Sequence, residues 1–141
     1  MRIFKGSVTI EALNKMSRNT LAEHLGIEFL EIGDDFLVAK MPVNAKTQQP
    51  LGLLHGGASV ALAETLGSVA ATLCVEESRF CVGLEINANH VKAARDGFVT
   101  GTTKPIHIGR QTQIWETRIL NDSSELVCIS RITIAVLEKK K

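Results

Sequence analysis

The spacing of apolar and polar positions changes twice along the chain, and each change marks a change of element. Thr9 stands where it can cap a helix over Ile10 to Met16, with Glu11 near the positive end. Thr20-Leu21-Ala22-Glu23 has the pattern of a capping box, and Gly26 is the matching stop. Ile27 to Ile32 and Phe36 to Val43 are extended runs on either side of the turn Gly33-Asp34-Asp35, which predicts a hairpin. Asn44 to Gly52 is polar, holds Pro50 and reads as a loop. From Gly56 to Val75, Leu62, Leu66, Val69 and Leu73 recur at spacings of four and three, the apolar stripe of one long helix. Ala61, Ser68, Ala71 and Thr72 lie off that stripe and are small, so another element can approach the backbone there.

After Val75 the period shortens to two. Phe80, Val82, Leu84, Ile86 and Ala88 alternate with Cys81, Gly83, Glu85, Asn87 and Asn89. Phe98 to Ile106 follows the Asp96-Gly97 turn, Gln111 to Leu120 alternates around Trp115, and Asn121-Asp122-Ser123-Ser124 is a further turn. Leu126 to Leu137 is a last strand with Leu126, Cys128, Ile132, Ile134 and Val136 on one face. Short turns join antiparallel neighbours, and an antiparallel sheet buries one face. The long helix is the one element able to cover that face, so the fold class is α+β, an antiparallel sheet wrapped around one central helix.

A chain of 141 residues, 45% hydrophobic and 22% charged, is expected to form a single domain spanning residues 1–141. Its formal net charge of +1 gives no reason to expect a nucleic-acid partner, and Lys139-Lys140-Lys141 reads as a solvated tail. Gly56 to Val75 has the length of a membrane span, but Glu64 near its middle would cost about 2.5–3.5 kcal/mol in lipid. No membrane partner is therefore expected. Cys74, Cys81 and Cys128 form no close pair, and no export signal opens the sequence, so reduced thiols and a cytoplasmic location are expected.

Glu64 is the sole charge on the central helix, among Val60, Ala61, Gly67, Ser68 and Ala71. Such a carboxylate either faces a solvated gap or stands in a cleft of small residues as base or nucleophile, with Ser68 one turn on as a hydrogen-bond partner. His55-Gly56-Gly57 opens the same helix; it is either a glycine turn with an incidental histidine or an oxyanion site of free backbone N–H groups. Gln49, just upstream, can orient water or a carbonyl. No histidine or cysteine spacing suits a metal, and no phosphate-loop, dinucleotide or serine-esterase motif occurs.

Gln49-Pro50-Leu51-Gly52-Leu53-Leu54-His55-Gly56-Gly57, followed by Ala63-Glu64-Thr65-Leu66-Gly67-Ser68, resembles the hotdog-fold acyl-CoA thioesterases of the 4-hydroxybenzoyl-CoA thioesterase type. Val82 to His90 and Pro105-Ile106-His107-Ile108-Gly109-Arg110 extend the resemblance toward the thioesterases that serve menaquinone and enterobactin synthesis. The resemblance covers roughly Thr9 to Leu137. It implies an acyl-CoA substrate, aromatic or broad in acyl range, and no separate cofactor, since CoA is part of the substrate. It also implies a homodimer or homotetramer. Glu64 would be nucleophile or general base, the Gly56 N–H the oxyanion donor, Gln49 and His55 positioning groups, and Ser68 a supporting one. Gly83, the stretch His90, Val91, Lys92 and Ala93, and the stretch His107, Ile108, Gly109, Arg110, Gln111 and Thr112 would hold the CoA arm, with Lys92 and Arg110 as phosphate partners. Leu51 and Ile106-His107-Ile108 depart from the family pattern and bear on the acyl group.

Helix geometry adds an expectation about assembly. At 1.5 Å rise per residue, Gly56 and Glu64 are about 12 Å apart on a straight helix. A thioester carbonyl needs its donor at about 3 Å and its attacking group at about 3–3.5 Å. One carbonyl cannot meet both residues of one chain. The expectation is a dimer with antiparallel central helices, in which Gln49, His55 and Gly56 of one chain face Glu64 and Ser68 of the other. Two rivals stay open: a hydratase or dehydratase pairing His55 with Glu64, and a non-catalytic acyl-CoA binding module.

Overall fold

A computed structural model describes residues 1–140; Lys141, the end of the lysine run, lies outside the described residues. Two short helices, α1 (Ile10–Met16) and α2 (Leu21–His24), precede the hairpin β1 (Glu28–Ile32) and β2 (Leu37–Pro42). The long helix α3 (Gly56–Leu73) comes next. Strands β3 (Arg79–His90), β4 (Phe98–Ile108), β5 (Thr112–Leu120) and β6 (Leu126–Glu138) complete the chain. All six strands form one antiparallel sheet in the order β1-β2-β4-β5-β6-β3, and α3 packs against β2 to β6. This is the expected sheet around a helix, and β3, made before β4, lies at an edge. No helix among the described residues is long and apolar enough to cross a membrane.

Local signals at the helix ends are partly met. Thr9 caps α1 by accepting from the Ala12 N–H at 3.1 Å. The expected capping box at α2 does not form, because the Thr20 hydroxyl donates to the Ser17 carbonyl at 2.6 Å. Glu23 reaches back one residue further than expected, accepting from Asn19 N–H at 3.1 Å. The tight link between α1 and α2 offers Thr20 a nearer carbonyl than the helix offers an N–H.

The stripe on α3 is broader than its large residues indicate. Leu62 and Leu66 are fully buried, whereas Val69 and Leu73 are half-buried. Full burial extends instead to Ala63, Gly67, Ala70 and Ala71, so the off-stripe small residue Ala71 is where the sheet itself approaches. A methyl on Gly67 would stand 2.7 Å from Ile132 Cγ2 of β6, and one on Gly101 of β4 would stand 2.7 Å from Leu66 Cδ1. Between them, on β5, Trp115 is fully buried, stacks with Phe4 at 6.3 Å and donates its indole N–H to Gln113 Oε1 at 2.7 Å. The Gln113 amide in turn reaches the Ala71 carbonyl in the last turn of α3 at 3.5 Å, so this buried polar pair ties sheet to helix end.

Strand β6 shows most of the expected face, with Cys128, Ile132, Ile134 and Val136 buried, but at its start, where the pairing with β5 shifts register, Leu126 is half-buried and Val127 is buried instead. Strand β3 does not keep one alternation. Gly83 pairs with Ile134 and Glu85 with Thr133, which leaves Leu84 as the extra residue of a β-bulge. A bulge shifts the pleat by one residue. Before it Cys81 faces the helix and Phe80, Val82 and Leu84 are exposed; after it Ile86 and Ala88 turn inward. The uniform alternation expected from Phe80 to Ala88 therefore fails at Leu84.

The seating of α3 generates a stability prediction. Gly67→Ala forces a methyl into Ile132 and is expected to cost about 1–3 kcal/mol, and Leu66→Ala about 2–5 kcal/mol. Urea unfolding midpoints measure both, and a stable Gly67→Ala protein would contradict the close approach.

Candidate active site

The polar loop before α3 is shaped by its own hydrogen bonds. Gln49 N–H donates to the Leu53 carbonyl at 2.8 Å, and the Gln49 side-chain oxygen accepts from the Leu51 and Leu53 N–H groups. That oxygen is committed, so the side-chain NH₂ is what Gln49 offers outward. The sequence left Gln49 as donor or acceptor; the fold makes it a donor.

His55 is the N-cap of α3, and its Nδ1 accepts from the Gly57 N–H at 2.8 Å. An imidazole accepting at Nδ1 carries its proton on Nε2 when neutral. The Ala58 and Ser59 N–H groups both bond the His55 carbonyl. The Gly56 N–H has no acceptor among the described residues, so the first turn keeps one free donor at its positive end. His90, at the end of β3, leans over this point: a Cβ on Gly56 would stand 2.9 Å from His90 Nε2. Glycine at 56 is thus the residue that leaves room for the ring.

A cleft of about 340 Å³ opens here, lined by Gln49, Gly56, Ser59, His90, Val91, Lys92 and Ala93 among others. It unites the expected oxyanion donor Gly56 and the positioning residue Gln49, though not the His55 side chain, with the His90 to Ala93 stretch expected for the CoA arm. Ser59, buried in the first turn of α3, lines it as well and was not anticipated; no motif marks it. Lys92 is paired with Glu125 at 3.0 Å, on an exposed rim where such a pair contributes little. The Asn121 amide and then Lys92 hold the Glu125 carboxyl below the usual range.

Glu64 is exposed and belongs to a different hollow, shared with Ser68, Thr65 and Val69 of α3 and with Met16 and Leu21 of the opening helices. One chain does not bring Glu64 to Gly56. Ser68 shares that hollow, but its hydroxyl makes no hydrogen bond to Glu64 among the described residues; its carbonyl accepts from Thr72 at 2.9 Å. That Met16, Leu21 and Val69 wall this hollow escaped the sequence reading, because nothing local tells where the opening helices pack. Across from α3, Gly83 of β3 stands against the Glu64 carboxylate.

The remaining expected CoA-arm residues cluster at the β4–β5 turn. The Gly109 N–H donates to the Thr112 carbonyl at 2.8 Å, and the Val136 N–H of β6 to the Gln111 carbonyl at 2.9 Å. The Arg79 guanidinium donates to the Arg110 carbonyl, and the His107 ring folds over Gly109. Ile108 and Arg110 are exposed beside it. The thiols are remote from nucleophilic duty: burial, and then the neighbouring Cys81, push Cys74 up to about 11, and burial also raises Cys81 and Cys128.

The chain matches the thioesterase superfamily over residues 51–128, a stretch that includes the first turn of α3, Glu64, Gly83 and His90. It is 53% identical over 135 residues to the 1,4-dihydroxy-2-naphthoyl-CoA hydrolase of Escherichia coli, covering 96% of this chain and 99% of that one. It is 51% identical over 135 residues to the proofreading thioesterase EntH of Cronobacter turicensis, covering 96% and 98%. The crystal structure of a thioesterase from Haemophilus influenzae superposes with a TM-score of 0.95 at 47% identity, covering 96% of this chain and 95% of that one. With this fold and these relatives, the chain is a hotdog-fold thioester hydrolase and belongs to the thioesterase superfamily.

Proposed function

We propose that the protein hydrolyses acyl-CoA thioesters of aromatic or broad acyl range to free acid and CoA. The observation that carries this reading is the pair of uncommitted donors on one cleft, the Gly56 N–H and the Gln49 side-chain NH₂. Attack on the thioester carbonyl moves charge onto its oxygen, and donors fixed before the reaction stabilise that charge without reorganising. The thiolate of CoA then leaves, and water supplies the second oxygen of the acid. Glu64 serves as general base for that water, or as nucleophile whose anhydride water then opens. His55, whose Nδ1 accepts from the Gly57 N–H, fixes the turn that presents Gly56. Ser68 supports the carboxylate.

The separation of the two hollows supports a site shared between two chains. Strand β3 is a 12-residue edge strand with Val82 and Leu84 exposed, and a long unprotected edge invites pairing with a second copy. A two-fold dimer repeats any such shared site twice, and a homotetramer would double it again. In this reading the CoA arm follows His90 to Ala93 and the β4–β5 turn at His107 to Thr112. Arg110, which makes no ion pair among the described residues, is the cation for its phosphates, and Lys92 would exchange Glu125 for them. The name of one relative makes 1,4-dihydroxy-2-naphthoyl-CoA the first substrate to test, and with it a place in menaquinone synthesis in the cytoplasm.

Thiol release across a panel of aromatic and fatty acyl-CoAs tests the reaction. A hydratase would change enoyl absorbance without thiol, and a binding module would do neither. Glu64→Gln is expected to lower turnover by at least about a thousandfold with substrate still bound, and near-normal turnover would remove Glu64 from the mechanism. Co-refolding a Glu64→Ala chain with a His55→Ala chain should restore activity above either parent, since one interface of the hybrid receives both intact halves. A hybrid that forms without gain would refute the shared site.

A further inference from the structure

Among the described residues no side chain of its own helix hydrogen-bonds Glu64, although Ser68 stands one turn away. What bounds it lies across the gap, on β3. A Cβ built on Gly83 would stand 3.0 Å from Glu64 Oε2 and 3.9 Å from its carboxyl carbon. That is tighter than ordinary van der Waals contact, so a methyl at 83 would require the carboxylate to give by a few tenths of an ångström. The Gly83 backbone does not lie in the left-handed region, so glycine is not needed there for conformational reasons. The requirement is space for Glu64.

Two further observations fit the same arrangement. Ile132 of β6 reaches both glycines: its Cγ2 occupies the place beside Gly67, and its Cδ1 would stand 3.5 Å from a Cβ on Gly83. Gly67 is one turn from Glu64, so the close seating of α3 on Ile132 also sets how near Glu64 comes to β3. The β-bulge at Leu84 follows Gly83 at once. It ends the inward-facing register of the first half of β3, so that position 83 is the last there that faces the helix before Ile86.

We propose that Gly83 is a positioning residue for Glu64: its missing side chain, with α3 seated on Ile132 at Gly67, defines where the carboxylate stands. This rests on Glu64 as the reacting carboxylate, and it gives Gly83 a role distinct from holding the CoA arm. Displacing an attacking group by about 1 Å can cost about a hundredfold in rate. The added methyl requires the carboxylate to give by a few tenths of an ångström, so Gly83→Ala should lower turnover by about two- to tenfold and leave KM nearly unchanged. A residue that held the CoA arm would raise KM instead.

The decisive experiment is a kinetic cycle of Gly83→Ala with Glu64→Asp, whose shorter side chain withdraws from the added methyl. The alanine should cost far less in the aspartate background than in the wild type. Equal costs in both backgrounds, or no cost in the wild type, overturn the proposal. A readout independent of catalysis is the carboxyl carbon resonance of Glu64 in protein labelled at glutamate. Gly83→Ala should shift it, and an unmoved resonance overturns the proposal even if Glu64→Gln proves active and Glu64 is not the reacting group. Should Gly83→Ala fail to fold or to self-associate, the same change is made in Glu64→Ala protein, where the obstruction is gone. Recovery there supports the contact. Failure in both backgrounds overturns it, because the methyl then acts on the edge strand.

Discussion

The closeness of α3 to the sheet is the constraint on which the rest depends. It is achieved by reciprocal omission: the helix leaves out a side chain at Gly67 for Ile132, and the sheet leaves one out at Gly101 for Leu66. Interiors pack at the density of organic crystals, so such gaps must be filled by specific partners. With Leu66 reaching toward β4 and Gly67 over β6, the helix is fixed in rotation as well as distance. Rotation decides which α3 residues are left for solvent, and Glu64, Ser68 and Thr72 are among them.

The helix also carries both halves of the chemistry at a separation its own rigidity maintains. Its first turn donates, through Gly56, toward negative charge; its middle supplies a carboxylate. In one chain these groups repel any common use, since a helix does not bend back on itself over two turns. The sheet responds differently to each end. At Gly56 it delivers His90 from the far end of β3, and at Glu64 it delivers the bare backbone of Gly83 from the near end. One strand thus frames both hollows, and the bulge between them lets its two halves present different faces.

Much of this was readable from residue types alone. Thr9, the Gly33-Asp34-Asp35 turn, the period-two runs and the isolation of Glu64 are local signals, and the elements and the two hollows follow them. What escaped depends on neighbours distant in sequence. The extra residue at Leu84 is visible only against β6, whose register creates the bulge. The exposed edge at β3 follows from β6 crossing over to pair with it rather than from anything within Phe80 to His90. Thr20 had the right neighbours for a cap and chose the Ser17 carbonyl because α1 ends close by. Gln49 could not be assigned as a donor until the loop consumed its oxygen, and Lys92 could not be seen paired until the β5–β6 turn brought Glu125 beside it.

The strand order also imposes a timetable on biosynthesis. Among the described residues of one chain β3 is bonded to β6 alone, so during vectorial synthesis it emerges with no hydrogen-bonding partner within the chain while β4 and β5 are still being made. Helix α3 has the same difficulty, because Ile132, which fills the space at Gly67, belongs to β6. Glu64 and Gly83 lie in the middle of the chain, yet neither acquires its final surroundings until the ribosome has released the segment around Ile132. The nascent chain must therefore carry an unpaired strand and an uncovered helix face until β6 has been made, the kind of exposed species on which chaperones act.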